Sequence, residues 1–239
     1  MKILTDYLDQ ESSSSKSLII MLPGAYDSPA NFLAQGFVLA LRLRNIAADV
    51  MMADAQVDYY TDQQIVSRLH TQLVQPARSK GYEQIWLVGI SLGGYGSLLY
   101  SQKYPEMING LFLMAPFMGP RNIPLEIQQQ GGLKYWQAGN IPDDDYDRKL
   151  WLWLQRYCLP YNWTRPLIYI GYGTEDRFIG SSRLLEQILP PEQALTVPGG
   201  HDWLAWQKLW LKFLDVAPLP RKLGLQAQLC SSTDNNDHV

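Results

Sequence analysis

The stretch that decides the fold is "QIWLVGISLGGYGSLLYSQKY", residues 84–104. It opens as an unbroken apolar run, breaks on glycine and serine, and continues with helical spacing. Gly89, Gly93, Gly94 and Gly96 crowd around Ser91. Glycine inside a strand or helix costs about 0.5–1 kcal/mol relative to alanine, so such a cluster calls for a sharp backbone turn or a close approach. A serine on a tight strand-to-helix turn is held in a strained conformation with its hydroxyl above the sheet, and Gly89 and Gly93 remove side chains that would collide there. The following helix aims its free N–H groups and positive dipole end at negative charge developing nearby. Gly94 and Gly96 let that helix lie close to its neighbours. GxSxG arises by chance in about one chain of this length in ten to fifteen, so the motif needs partners elsewhere.

Working outward, short apolar runs alternate with longer amphipathic ones, the mark of strands wrapped by helices in an α/β protein. The strand candidates are "SLIIML", "ADVMMA", "QIWLVGI", "INGLFLMA", "PLIYIGY" and "ALTVP". They are nearly continuous in apolar residues, as strands of a mostly parallel sheet covered on both faces must be. One helix opens at Asp27-Ser28-Pro29 and runs through Phe32, Phe37, Leu41 and Leu43. Another opens at Thr61, with Ile65, Leu69 and Leu73 on one face, and ends near Pro76. A third runs from just after Ser91 to Lys103 and stops before Pro105; a fourth follows Ser181 and Ser182. The last, "WLAWQKLWLKFL", carries an apolar stripe of Leu204, Trp206, Leu209, Trp210 and Phe213.

Residues 117–165 break the alternation. Connections usually span about 4–6 residues, so this segment needs structure of its own and reads as a small helical, lid-like insertion over one end of the sheet. Its aromatics, Tyr135, Trp136, Trp151, Trp153 and Tyr157, either line a pocket or fill the insertion's own core. Residues 1–217 then form one domain, and the polar tail 218–239 is expected to be disordered.

A serine hydroxyl is a poor nucleophile at neutral pH and needs a histidine held by a carboxylate. The chain has three histidines. His70 lies within the helical run "IVSRLHTQLV" and reads as a surface or packing residue, while His238 is in the tail. His201, in "VPGGHDWLAW", stands between the last strand and the last helix, where a glycine pair can aim an imidazole over the strand ends. For the carboxylate, the loop after "LIYIGYG" offers Glu175 and Asp176, and Asp176 is preferred. Asp202 is adjacent to the histidine, which disfavours the required bond. A tetrahedral intermediate also needs two backbone N–H donors. Leu92, after the serine, supplies one; Ala25 in "IIMLPGAYDSP", or else Tyr26, supplies the other. Tyr26, Phe117, Met118 and the insertion's tryptophans are candidates for the acyl or alcohol pocket, because ligand sites are largely apolar with a few polar groups.

The net charge of −3 leaves no electrostatic footprint for nucleic acid. No apolar run approaches the roughly 18 residues of a membrane span, and Asp6, Asp9 and Glu11 interrupt any export-like segment. Cys158 and Cys230 match no metal or redox spacing and read as free thiols in a reducing, cytoplasmic setting. Neither a cofactor nor a metal is expected.

The order Ser91, Asp176, His201 resembles that of the α/β-hydrolase superfamily, and differs from the orders in chymotrypsin-like and subtilisin-like proteases. The resemblance runs from "SLIIMLPG" to "WLKFLD"; within it, "GISLGGYGSLLYSQKYPE" and "GGHDW" look like the esterase-D and carboxylesterase-type branches. It implies a serine esterase acting on a small apolar ester through an acyl-enzyme. Relatives with the same elbow imply a thioesterase or acyltransferase as the alternative, with Arg121, Arg148, Lys149 and Arg156 as a basic docking patch. A binding protein that merely keeps the fold is a third reading. The pattern departs at Pro23, where many relatives carry a histidine before the glycine of the oxyanion loop.

Overall fold

The computed structural model describes residues 1–8, 16–159 and 165–222. Seven strands form one sheet: β1 (Ile3–Asp6), β2 (Ser17–Leu22), β3 (Asp49–Ala53), β4 (Gln84–Ile90), β5 (Gly110–Met114), β6 (Leu167–Gly173) and β7 (Ala194–Val197). Their order is β1-β3-β2-β4-β5-β6-β7, with β1 antiparallel to β3 and the other pairs parallel. Successive side chains of a strand point to opposite faces. Leu18, Ile20, Ile85, Leu87, Leu111, Leu113, Ile168 and Ile170 therefore enter one core, while Ile19, Met21, Trp86, Val88, Phe112 and Met114 enter the other. Both faces are covered, which is why the strands read as unbroken apolar runs.

On one face lie α1 (Pro29–Ala34), α2 (Phe37–Leu43) and α10 (Trp203–Val216), whose Phe32, Phe37, Leu41, Trp210 and Phe213 fill the second core. Phe213 stacks on Phe112 at 4.1 Å, and Trp210 Nε1 donates to Phe37 O at 2.9 Å. On the other lie α4 (Ile65–Leu69), α5 (Gln75–Ser79), α6 (Leu92–Lys103) and α9 (Ile179–Glu186), together with α7 (Asn122–Gln129) and α8 (Tyr146–Gln155) of the insertion. A short α3 (Val57–Thr61) precedes α4. No helix among the described residues is long and apolar enough to cross a membrane.

Several expected boundaries move. The helix expected over 28–43 is two helices, because Gly36 adopts φ +75° between them. Thr61 ends α3 and does not open the next helix. The expected stop at Pro76 is replaced by a π-helical turn, His70–Val74, leading straight into α5. Proline has no N–H and clashes with the carbonyl four residues back; the wider turn accommodates both while Leu73, Val74 and Ala77 stay buried. α9 begins at Ile179, ahead of Ser181 and Ser182, with Ile179 N–H bonded to Asp176 O. Leu204 is 64% exposed and leaves the stripe to Ala205, Trp206, Leu209, Trp210, Phe213 and Leu214.

β1 has no counterpart among the expected strands. It is a four-residue, half-buried edge, and Arg42 ties it down by pairing with Asp6 and donating to Ala48 O at 2.8 Å. At the other end, the boundary drawn at residue 218 falls inside packed chain. Leu219 is buried, Ala47 N–H bonds Pro220 O at 2.7 Å, and Lys222 N–H bonds Asn45 O at 2.8 Å. Residues 223–239, with Cys230 and His238, lie outside the described residues.

Candidate active site

Ser91 stands between β4 and α6 at φ 50°, ψ −113°, a region that costs a non-glycine residue on the order of 1–3 kcal/mol. Its own peptide group is clamped: Ser91 N–H donates to Met114 O at 3.0 Å, and Ser91 O accepts from Gly94, Tyr95 and Phe117 N–H. The glycines make the turn possible. A Cβ on Gly89 would lie 2.4 Å from Gly93 O, and one on Gly93 would lie 2.2 Å from Leu22 O. Gly94 faces Pro116 and Gly96 faces the Tyr60 hydroxyl, the close packing expected of both.

His201 sits in the loop between β7 and α10. Gly199, at φ +131°, shapes that loop, and its carbonyl accepts from Glu175 N–H at 2.9 Å. Gly173 ends β6 so near that a Cβ there would lie 2.1 Å from Gly199 O. Thr174 N–H bonds Val197 O at 2.9 Å, so the two loops are zipped together. This brings Asp176 Oδ2 within 2.8 Å of His201 Nδ1, and His201 Nε2 within 2.9 Å of Ser91 Oγ. Asp176 is 2% exposed, and its second oxygen accepts Phe178 N–H at 2.7 Å. Phe178 and Trp206 pack edge-to-face on the imidazole at 5.0 and 5.2 Å, fixing its plane. Asp202 caps α10 by accepting Ala205 N–H, and the Glu175 side chain is exposed.

Two backbone donors near the elbow are free. Leu92 N–H opens α6, and Ala25 N–H lies in the loop after β2; neither has an acceptor among the described residues. That loop touches the elbow, since a Cβ on Gly24 would lie 3.8 Å from Ser91 Cβ. With proline at position 23, its support comes from elsewhere: Asp27 N–H donates to Gly24 O at 3.2 Å, and Asp27 Oδ1 accepts Trp203 Nε1–H at 3.2 Å.

The expected substrate-lining residues divide. Phe117 stands at the site, its ring edge-on to Tyr95 at 5.5 Å and to Phe178 at 5.7 Å. Tyr26 is fully exposed on the loop beside Ala25. Met118 is 1% exposed within the core, where its carbonyl accepts Trp151 Nε1–H. Trp136, Trp151 and Trp153 are buried as well and join the core that packs the insertion against the body, while Trp163 lies outside the described residues. Large apolar rings are stabilised most where they are dry, which is what draws them inward.

Two hollows reach residues that touch the site, Tyr95, whose N–H bonds Ser91 O, and Phe178, whose ring meets His201. A cleft of about 730 Å³ runs along α6 between Tyr60, Tyr95 and Leu99 on one wall and Asp144, Asp145, Tyr146 and Asp147 on the other. Tyr95 Oη donates to Asp147 at 2.6 Å, and burial together with that bond holds the phenol well above its ordinary pKa. A second hollow, of about 200 Å³, lies beyond Phe178 and is lined by Arg121, Arg177, Gln128 and Ser181. Sequence reasoning did not single out Phe178, Tyr95 or Arg177. A ring or a charge on the loop after a carboxylate carries no motif, and only the contacts reveal it.

Of the four cations of the expected docking patch, three are engaged and Arg121 is exposed. Arg148 pairs with Glu126 and Asp145, Lys149 pairs with Asp143, and Arg156 is likewise engaged. No cluster of three or more metal-ligating side chains occurs among the described residues. Burial raises the Cys158 thiol, leaving it protonated at neutral pH.

A sequence model described as "alpha/beta hydrolase fold" matches residues 60–158, covering the elbow but stopping before Asp176. No curated protein gives a significant match. Among solved structures, Est1E from Butyrivibrio proteoclasticus superposes with a TM-score of 0.61 at 17% identity, over 89% of this chain and 90% of that one. A fluorophosphonate-binding serine hydrolase of Staphylococcus aureus gives 0.58 at 12% identity, over 89% and 90%. S-formylglutathione hydrolase from the same organism gives 0.55 at 12%, over 83% and 80%. Its sheet order, its strand-serine-helix elbow and these likenesses give the chain the α/β-hydrolase fold.

Proposed function

We propose that the protein is a serine hydrolase that cleaves carboxylic esters through an acyl-enzyme. The observation that carries the reading is the unbroken line Ser91 Oγ, His201, Asp176, ending on a buried carboxylate. His201 Nε2 takes the proton of Ser91 as the oxygen attacks the acyl carbon. Leu92 and Ala25 N–H groups hold the oxyanion, worth about 2.7–4 kcal/mol per donor in such sites. His201 returns the proton to the leaving alcohol, and water, activated by the same base, releases the acid. Asp176 holds the donor tautomer and stabilises the imidazolium. The relatives named above as a serine hydrolase and an S-formylglutathione hydrolase support the class of chemistry. An oxygen ester is preferred over a carrier-bound thioester because three of the four cations expected to dock a carrier, Arg148, Lys149 and Arg156, are already engaged.

A fluorophosphonate probe should label the purified protein at Ser91 alone, located by mass spectrometry, and should leave Ser91→Ala untouched. Ser91→Ala should also lower turnover of a 4-nitrophenyl ester by about 10⁴-fold or more while the fold persists. A folded wild-type protein that takes no label and turns over no ester would overturn the reading and bring the non-catalytic binding protein forward. Matched oxygen and sulfur esters then rank ester against thioester.

A further inference from the structure

We propose that Arg121 and Arg177 form an anion-binding subsite beside Ser91, so that the preferred ester carries a negatively charged group, such as a carboxylate or phosphate, a few bonds from its scissile carbonyl. The inference rests on the hydrolase reading and narrows its substrate class.

Most arginines of the described chain are spoken for. Arg42 pairs with Asp6, Arg44 with Asp215 and Arg148 with Glu126 and Asp145, while Arg78 donates to the carbonyls of Tyr82, Glu83 and Met107. Arg121 and Arg177 are exposed and have no carboxylate partner among the described residues, yet both line the same small hollow. Two like charges around one concavity repel unless an anion lies between them. A guanidinium matches a carboxylate or phosphate with parallel hydrogen bonds, so the pair is suited to such a group.

The hollow adjoins the site. Phe178 is the shared wall: one contact of 5.0 Å joins its ring to His201, and one of 4.9 Å joins it to the Arg177 guanidinium. Arg177 is positioned by the most constrained loop of the site, between Asp176, bonded to His201, and Phe178, whose N–H is bonded to Asp176. The larger cleft, which meets the elbow through Tyr95, is lined by Asp144, Asp145 and Asp147 against a single lysine, Lys103. Asp147 also lies against Gly119 at the hollow's edge, where Tyr95 donates to it, so the two arginines there outnumber one carboxylate. An anionic group is thus disfavoured in the cleft and held at the arginine pair.

The test compares the 4-nitrophenyl monoester of adipic acid with its methyl-capped counterpart, read as 4-nitrophenolate release; a second pair places the charge on the alcohol side. In at least one pair kcat/KM should favour the charged ester by tenfold or more, through KM, and the preference should shrink as salt rises from 20 to 500 mM, roughly a fivefold fall in screening length. Arg121→Ala/Arg177→Ala should collapse the ratio of charged to neutral turnover toward one, Arg121→Lys/Arg177→Lys should recover part of it, and Arg121→Glu/Arg177→Glu should invert it. Equal kcat/KM within both pairs, or a preference that survives the double alanine variant, overturns the subsite and leaves the esterase reading intact. No turnover of any ester overturns both.

Discussion

Asparagine in place of Asp176 is expected to lower kcat/KM for an ester by about 10⁴-fold with the far-ultraviolet circular dichroism unchanged. The carboxylate has two acceptor oxygens, each committed to one donor: His201 Nδ1–H at 2.8 Å and Phe178 N–H at 2.7 Å. An amide has one acceptor oxygen. If it serves the imidazole, the amide NH₂ faces Phe178 N–H, donor against donor, in a site that is 2% exposed. If it serves Phe178, the NH₂ turns to His201 Nδ1, which must then accept and so carries its proton on Nε2. That tautomer cannot take the proton of Ser91. Steady-state kinetics on the variant checks the argument, and activity within tenfold of wild type would remove Asp176 from the mechanism.

Alanine at Gly93 is expected to destabilise the protein by about 3 kcal/mol or more, a fall of roughly 6–12 °C in melting temperature for a chain of this size. The added methyl would sit 2.2 Å from Leu22 O and 2.6 Å from Pro23 O. Both are backbone atoms, so no side-chain rotation relieves the clash, and either α6 or the end of β2 must move. The loop carrying Ala25 N–H follows from β2, so turnover should fall with stability. Gly180→Ala is the control: its Cβ would meet nothing within 4 Å and φ is ordinary, so differential scanning calorimetry should find it neutral or up to about 1 kcal/mol more stable.

The parts of the molecule legible from sequence are those where one local rule acts alone. "QIWLVGI" and "SLIIML" had to be buried strands, and the glycines around Ser91 had to mark a backbone collision, because nothing else accounts for such costly residues in those places. The pairing of Ser91, His201 and Asp176 was legible from which histidine and which carboxylate follow a strand. What escaped depends on contacts between distant segments. "ILTD" is too short and too half-buried to announce itself, and it becomes a strand only because β3 offers an open edge. Pro76 should have stopped its helix, but a buried apolar face outweighs one lost hydrogen bond once a π turn relieves the clash. Met118 and the tryptophans of the insertion are apolar enough for a pocket or for a core, and the number of dry neighbours available to each decides between the two.

The hydrogen bond between Ser91 and His201 closes a separation of 110 residues, and it joins loops at the ends of β4 and β7, which lie three strands apart in the sheet. Such long-range, parallel pairings form late and slowly, because chain entropy is lost before the contacts reward it. During refolding from denaturant, helix content should therefore recover well before esterase activity. On the proposed mechanism, reactivity toward the fluorophosphonate becomes a clock for the final stage of folding, since a protein that has its helices and lacks the β6–β7 edge has Ser91 without His201 beside it.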